Sequence, residues 1–90
     1  METNVQPGMR EWDQIAGRWS WSRRECEVVR LLVLGFTRKQ SALKLQISLS
    51  TLQTHFRRAM WKGPARDLVG LIWEIVAVRD ELRHRERTSA

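Results

Sequence analysis

Ninety residues provide one domain with a modest hydrophobic core, and they leave no room for a second domain or a buried cofactor cleft. The hydrophobic fraction of 42% argues against general disorder, and no apolar run reaches the roughly 18 residues of a membrane span. A single cysteine excludes an internal disulfide and a cysteine-based zinc site, so we expect a soluble, unprocessed protein of the cytoplasm without membrane contact.

The net charge of +6 is concentrated in the middle of the chain. Residues 28–66 contain eight basic residues and no Asp or Glu, whereas the two flanks together contain eight basic and ten acidic residues. A positive segment between balanced flanks indicates contact with a polyanion. The alternative is a basic face that meets only solvent.

The N-terminal elements are predicted from helical periodicity and capping residues. Residues 1–9 are polar and predict a mobile tail, and apolar residues at helical spacing predict a short amphipathic helix over 10–18. Ser22 and Glu25 have the spacing of a capping box, which predicts the start of a second helix. Gly35 suits the left-handed residue that ends this helix.

Two helices then follow each other closely. Thr37 and Gln40 form a second capping box, which opens a short helix. Its predicted buried residues are Ala42, Leu43 and Leu45. Ser48 is the next N-cap, and it predicts a helix over about 49–62 that Gly63-Pro64 stops. Two helices separated by about three residues indicate a helix-turn-helix.

A last helix is predicted over about 66–83, with a charged tail over 84–90. Its apolar residues occupy more than one face. The set expected to face the domain is Leu68, Leu71, Ile72 and Ile75. Val69, Trp73 and Val76 then remain uncovered, which indicates a homodimer interface unless the Trp-rich N-terminal segment covers them within one chain.

The chain order of these elements predicts an all-α fold, a four- to five-helix bundle within residues 10–83 that contains a helix-turn-helix. Cys26 lies inside a helix without a nearby histidine base, so we expect a structural role for it. No metal site and no cofactor are expected, since the two histidines lie far apart in the sequence.

Polar and basic residues gather on the outer face of helix 49–62, and a major groove about 12 Å wide admits one helix. These residues are Ser50, Gln53, Thr54, Arg57 and Arg58. The basic segment adds Arg38 and Lys62 as candidate DNA contacts. Gln53 can pair with adenine through two hydrogen bonds, and the alternative for Gln53 is plain surface polarity. His55 is either a phosphate donor or a histidine half-buried behind the helix.

Residues 21–69 resemble the LuxR-type (GerE-like) helix-turn-helix proteins of bacteria. The residues that carry the resemblance are Arg24-Glu25, Glu27-Val28, Leu31-Leu32, Gly35, Lys39, Ala42, Leu45, Ile47-Ser48, Thr51 and His55. The resemblance implies a four-helix domain in which the third helix reads DNA and the fourth often makes a dimer. It also implies that the positions of Lys39, Thr51, Gln53, Thr54 and His55 lie at or near the DNA. This sequence departs from the family at Gln53, where lysine is usual, and in segment 63–66, which is shorter than the usual turn.

We therefore expect a sequence-specific transcription regulator that binds duplex DNA as a dimer on half-sites about one helical turn apart. The alternative is an antiactivator or adaptor that captures another regulator or RNA polymerase through the last helix or the Trp-rich N-terminus. A sigma-factor-like region is a third possibility. An enzyme is not expected, because the sequence has no paired carboxylates, activated nucleophile or phosphate-cradling glycine loop. Without a sensing domain before the motif, regulation is expected to come from expression, a partner or oligomerisation.

Overall fold

The computed structural model describes residues 6–88, and within them it contains five helices and no strand. In chain order the helices are α1 (Met9–Arg18), α2 (Arg23–Val33), α3 (Arg38–Leu45), α4 (Leu49–Lys62) and α5 (Leu68–Thr88). The predicted all-α fold with a helix-turn-helix, formed by α3 and α4, is confirmed. None of the five helices is long and apolar enough to cross a membrane.

Side-chain caps begin α2, α3 and α4 at the predicted residues. The Ser22 hydroxyl accepts a hydrogen bond from the Glu25 amide, and the Glu25 carboxylate accepts one from the Ser22 amide. Thr37 and Gln40 make the same reciprocal pair at the start of α3, and the Ser48 hydroxyl caps α4. Because each cap satisfies amides that lack a partner inside the helix, these local signals fix where the three helices begin.

The core consists of two clusters of buried side chains that share α2 and α4. The first cluster is Trp12, Ile15, Trp21, Val29, Ala59, Leu71, Ile75 and Val78. The second cluster is Val28, Leu32, Ala42 and Leu52. The adjacent residues Val28 and Val29 belong to different clusters, so α2 packs against the helix-turn-helix on one side and against the α1–α5 pair on the other.

Helices α1 and α5 are joined by two ion pairs in addition to apolar packing. Arg83 donates two hydrogen bonds to the Glu11 carboxylate, from Nε at 2.8 Å and from Nη2 at 3.0 Å. A nitrogen of Arg18 lies 3.0 Å from a carboxylate oxygen of Glu81. Glu11 lies in the first turn of α1 and Arg18 in its last, so both ends of α1 are attached to α5.

The ends of the bundle differ from the sequence-based expectation. α5 continues to Thr88, so residues 84–88 of the predicted charged tail belong to the helix, a continuation that Glu–Arg pairs three or four residues apart allow. A contact of 3.4 Å between Arg85 and Glu81, one turn apart, supports this extension. At the other end α1 begins at Met9 and Pro7 is buried, while residues 1–5 of the predicted tail lie outside the described residues.

The prediction that α3 buries Leu43 is wrong. The Leu43 side chain is 77% exposed, whereas Ala42 is buried as predicted, Leu45 is half-buried, and Ser41 is buried as well. Ser41 is tolerated inside because its hydroxyl donates to the carbonyl of Thr37 at 2.8 Å, which satisfies the buried polar group. The buried face of α3 is therefore formed by Ser41 and Ala42, with Leu45 packed beside them against the second cluster, and Leu43 lies outside it.

Gly35 is needed at the end of α2 for its backbone conformation. Its φ is 102°, and the amides of Gly35 and Phe36 donate to the carbonyls of Leu32 and Leu31, the pattern of a Schellman motif. No atom lies within 4 Å of a Cβ added at Gly35, so a side chain there would be strained by its backbone and not by contacts.

We predict that Gly35→Ala lowers the free energy of unfolding by about 1–2 kcal/mol, because an L residue is disfavoured in this left-handed region. Gly17→Ala in α1 is the matched control, since a Cβ there also meets nothing within 4 Å and the backbone is not left-handed. This control should raise stability by about 0.5–1 kcal/mol. Urea denaturation monitored by circular dichroism measures both, and effects of the same sign would contradict the assignment.

Candidate nucleic-acid interface

Helix α4 has a buried inner face and a polar outer face. Leu52 and Ala59 are fully buried, and Phe56 and Met60 pack beside them as partly buried residues. The exposed residues of the outer face are Ser50, Gln53, Arg57 and Arg58, with Thr54 half-buried among them. The division of α4 into inner and outer residues agrees with its sequence pattern, and the outer face offers donors and acceptors along about three turns.

The turn between α3 and α4 holds the two helices in the helix-turn-helix arrangement. Gln46 adopts a left-handed conformation with φ 57°, and the amides of Gln46 and Ile47 donate to the carbonyls of Leu43 and Ala42. The Arg38 guanidinium lies over the Phe56 ring, 5.3 Å from its centroid, and so connects the start of α3 to the middle of α4.

The C-terminal end of α4 is attached to the segment that begins α2. The indole N–H of Trp21 donates to the carbonyl of Ala59 at 2.9 Å, and this hydrogen bond is buried. One turn later the Lys62 ammonium donates to the Glu25 carboxylate at 2.8 Å. Because these contacts lie on one side of α4, they restrict its rotation and keep the outer face turned to solvent.

Glu25 is buried and nevertheless ionised. Burial raises the pKa of its carboxyl, but the hydrogen bonds from the Lys62 ammonium and the Ser22 amide outweigh burial and bring the pKa below its ordinary value. Lys62, predicted as a DNA contact, therefore serves in the fold as the partner of a buried carboxylate. This pairing makes Lys62 less available to phosphate groups than the other predicted cations.

Apart from Lys62, the cations of the helix-turn-helix have no acidic partner among the described residues. Among residues 6–88, no carboxylate lies within ion-pair distance of Lys39, Arg57 or Arg58, which are exposed. The absence of acidic residues from segment 28–66 explains this, because the nearest carboxylates in the sequence belong to Glu27 and Asp67. The outer face is therefore positive and its charges are not neutralised within the fold.

The remaining predicted contacts differ in how free their polar groups are. The Thr51 hydroxyl accepts from Ser48 at 2.9 Å, whereas the Thr54 hydroxyl donates to the Ser50 carbonyl at 3.1 Å. His55 is half-buried, and within the described residues its Nδ1 is buried without a hydrogen-bond partner. Of the two interpretations of His55 from sequence, the structure agrees with the half-buried one.

Residues 20–74 match the sequence model of one protein family, the bacterial regulatory proteins of the luxR family (GerE). The matched segment is more than half of the chain. The chain belongs to the luxR family. No curated protein and no solved structure matches it. The match covers α2, α3, α4 and the start of α5, so the luxR-family domain is the part that contains the helix-turn-helix, and α1 lies before it.

A prominent residue of the luxR-family domain was not predicted from sequence. Trp61, in the last turn of α4, is 89% exposed, more than any other large hydrophobic residue that the structure describes. It follows Arg57 by four residues and so continues the outer face of α4. This spacing was visible in the sequence, but the outer face was defined there by polar residues alone.

The apolar stripe of α5 is only partly covered. Val69 is 66% and Trp73 70% exposed, and Val76 is half-buried. Trp12 and Trp21 pack in the cluster of Leu71, Ile75 and Val78, which lies on the other side of α5. The alternative that the N-terminal segment covers Val69 and Trp73 is therefore wrong.

We predict that Glu25→Gln lowers the free energy of unfolding of the luxR-family domain by about 1–2 kcal/mol at neutral pH, through loss of charged hydrogen bonds. Because the folded pKa of Glu25 lies below its ordinary value of 4.5, the ionised group stabilises the fold above that pH. The stabilisation is lost as the pH falls through the folded pKa, so wild type and variant should converge in acid.

Denaturation curves at several pH values measure the difference in the free energy of unfolding between wild type and Glu25→Gln. A difference that does not depend on pH would contradict the stabilising role of the ionised Glu25 carboxylate. Lys62→Met provides the second arm, since it leaves the buried carboxylate without its cation and should cost more than Glu25→Gln, which removes the buried charge. In the double variant the two losses should be less than additive, because both remove the same interaction.

Proposed function

We propose that this protein is a transcription regulator of the cytoplasm that binds a specific duplex DNA sequence as a homodimer, with α4 in the major groove. The observation that carries the proposal is the outer face of α4, where Gln53, Arg57 and Arg58 are exposed and meet no carboxylate of the described residues. Membership of a family of regulatory proteins with this helix-turn-helix supports it.

Each polar residue of this face has a role that its position favours. Gln53 lies in the second turn after the Ser48 cap, and recognition helices present their N-terminal residues to base edges. Its amide both donates and accepts, which fits adenine. Arg57 is one turn further along and can reach a guanine edge or a flanking phosphate. Arg58 is proposed to point more towards the DNA backbone.

The flanking residues supply the phosphate contacts in this proposal. Arg38 and Lys39 lie in the first turn of α3 and are exposed, so both can reach the backbone beside the groove. Thr51 and Ser50, in the first turn of α4, offer hydroxyl groups to the phosphates of the DNA backbone. His55 contributes only if its exposed edge reaches a phosphate, since its Nδ1 is buried.

We predict that Gln53→Ala weakens binding to the preferred site by about 1–3 kcal/mol and has little effect on random duplex. The variant loses a base contact without a change of charge. Arg58→Ala, its matched control, should weaken both substrates similarly and make the salt slope shallower by about one unit. Titrations by fluorescence anisotropy on a site selected from random duplexes measure these effects.

The salt dependence of the wild type tests the proposal as a whole. If each protomer neutralises on the order of four phosphates, a dimer should show a log–log slope of about −7. Binding that is absent at low salt would favour the alternative function of an adaptor that captures another regulator or RNA polymerase. Discrimination that survives Gln53→Ala but is lost in Arg58→Ala would mean that the proposed orientation of α4 in the groove is wrong.

The homodimer is proposed to form through Val69, Trp73 and Val76. Their spacing of four and three residues places them on one face of α5, so two copies can pair the same stripe about a two-fold axis. Exposed apolar stripes of this kind are typical of association surfaces. The exposure of Val69 and Trp73 also favours the adaptor alternative, in which another protein occupies the stripe.

We predict that Trp73→Glu gives a folded monomer, because a charge in the centre of the stripe opposes self-association. Binding to paired half-sites should fall strongly, while binding to a single half-site should stay as in the wild type. Sedimentation velocity gives the mass, and titrations on the two duplexes give the affinities. A wild type that stays monomeric at every accessible concentration yet binds paired half-sites tightly would contradict the dimer.

A further inference from the structure

Trp61 is a large aromatic residue whose side chain is exposed to solvent in the part of the chain that the structure describes. Its side chain is 89% exposed, whereas Trp12 and Trp21 are buried in the core. The last turn of α4 is otherwise well fixed, with Ala59 buried and Lys62 bound to Glu25. The fold thus presents Trp61 on a rigid support, and the surface that it meets lies outside the described fold.

The register of α4 places Trp61 on the same face as the proposed reading residues. Trp61 follows Gln53 by eight residues and Arg57 by four, and residues four apart lie above one another on a helix. Leu52 and Ala59, which face the core, lie on the opposite side. Whatever meets the outer face of α4 at Arg57 therefore also passes close to Trp61.

The surroundings of Trp61 fit an anionic strand. An open notch of about 690 Å³ lies beside the ring, and its lining includes two cations and apolar groups. The lining residues include Arg57, Met60, Trp61, Pro64, Ala65 and Arg66. Two of the lining residues are arginines and none is acidic, so the notch is positive, while Met60, Pro64 and Ala65 give it apolar walls. This combination suits a sugar–phosphate backbone, whose charged oxygens alternate with apolar deoxyribose.

We propose that Trp61 and the notch beside it bind the sugar–phosphate backbone of one DNA strand at the edge of the major groove, an inference that rests on the proposed function. The rise from Gln53 to Trp61 is about 12 Å along the helix axis. When Gln53 faces base edges, this distance carries Trp61 out of the groove towards its wall. There the indole N–H donates to a phosphate oxygen, the ring packs on deoxyribose, and Arg57 and Arg66 flank the phosphate.

The test compares three variants on the preferred duplex and on random duplex. Trp61→Ala should weaken binding to both about tenfold, with an unchanged salt slope because no charge is removed. Trp61→Phe keeps ring packing and loses the N–H donor, so its affinity should lie between those of Trp61→Ala and wild type. Met9→Ala, which shortens another exposed apolar side chain on α1, is the matched control and should bind as wild type. Thermal unfolding verifies that all three fold.

A second readout reports the contact directly. Labelling the five tryptophans with 5-fluorotryptophan gives five ¹⁹F resonances, and Trp61→Phe identifies the one that belongs to Trp61. Addition of duplex should shift this resonance and leave those of the buried Trp12 and Trp21 in place. A Trp61 resonance that does not move at saturating DNA would overturn the inference.

The remaining outcomes separate this inference from the proposed function. If the wild type binds DNA and Trp61→Ala binds equally well, the inference fails, the proposed function stands, and the notch is open to an acidic protein partner. A loss on the preferred site alone would make Trp61 a base-reading residue and also overturn the backbone contact. If the wild type binds no DNA even at low salt, the proposed function and the inference fail together.

Discussion

The outer face of α4 depends on the attachment of its last turn to the start of α2. The Trp21 indole bonds to the Ala59 carbonyl, and Glu25 bonds to Lys62. Glu25 also completes the capping box of α2, so one buried carboxylate both begins a helix and holds the end of another. The backbone that carries this face is therefore preorganised, because little backbone conformational entropy remains to be lost when a ligand binds.

The distribution of acidic residues supports the same arrangement. Carboxylates occur where helices must be joined, as in the pairs of Glu11 with Arg83 and of Glu81 with Arg18. Both pairs connect α1 to α5, outside the helix-turn-helix. Because those arginines are neutralised there and Arg57 and Arg58 of α4 are not, the net charge of the chain becomes a local field on one surface.

Much of the fold could be predicted from local sequence signals, whereas the contacts between distant segments could not. The caps at Ser22, Thr37 and Ser48 act over three residues, so sequence alone located the helix starts. The left-handed residues Ser20 and Gln46 were not foreseen, since non-glycine residues rarely adopt that conformation and no glycine marks either position. The outer face of α4 followed from periodicity. The sequence did not predict the pairing of Lys62, the exposure of Leu43 or the position of Trp61. These features depend on which helix packs against each helix face, and periodicity does not give that.

The pairing of α1 with α5 has a consequence during synthesis on the ribosome. Glu11 and Arg83 are separated by 72 positions, so α1 emerges long before the helix that covers it. Until α5 follows, Trp12 and Ile15 lack the Leu71 and Ile75 side chains that complete their cluster. The nascent helix-turn-helix can form its own small cluster earlier, since Val28, Ala42 and Leu52 are close in sequence. The surface of α4 thus belongs to the half of the molecule that can assemble first.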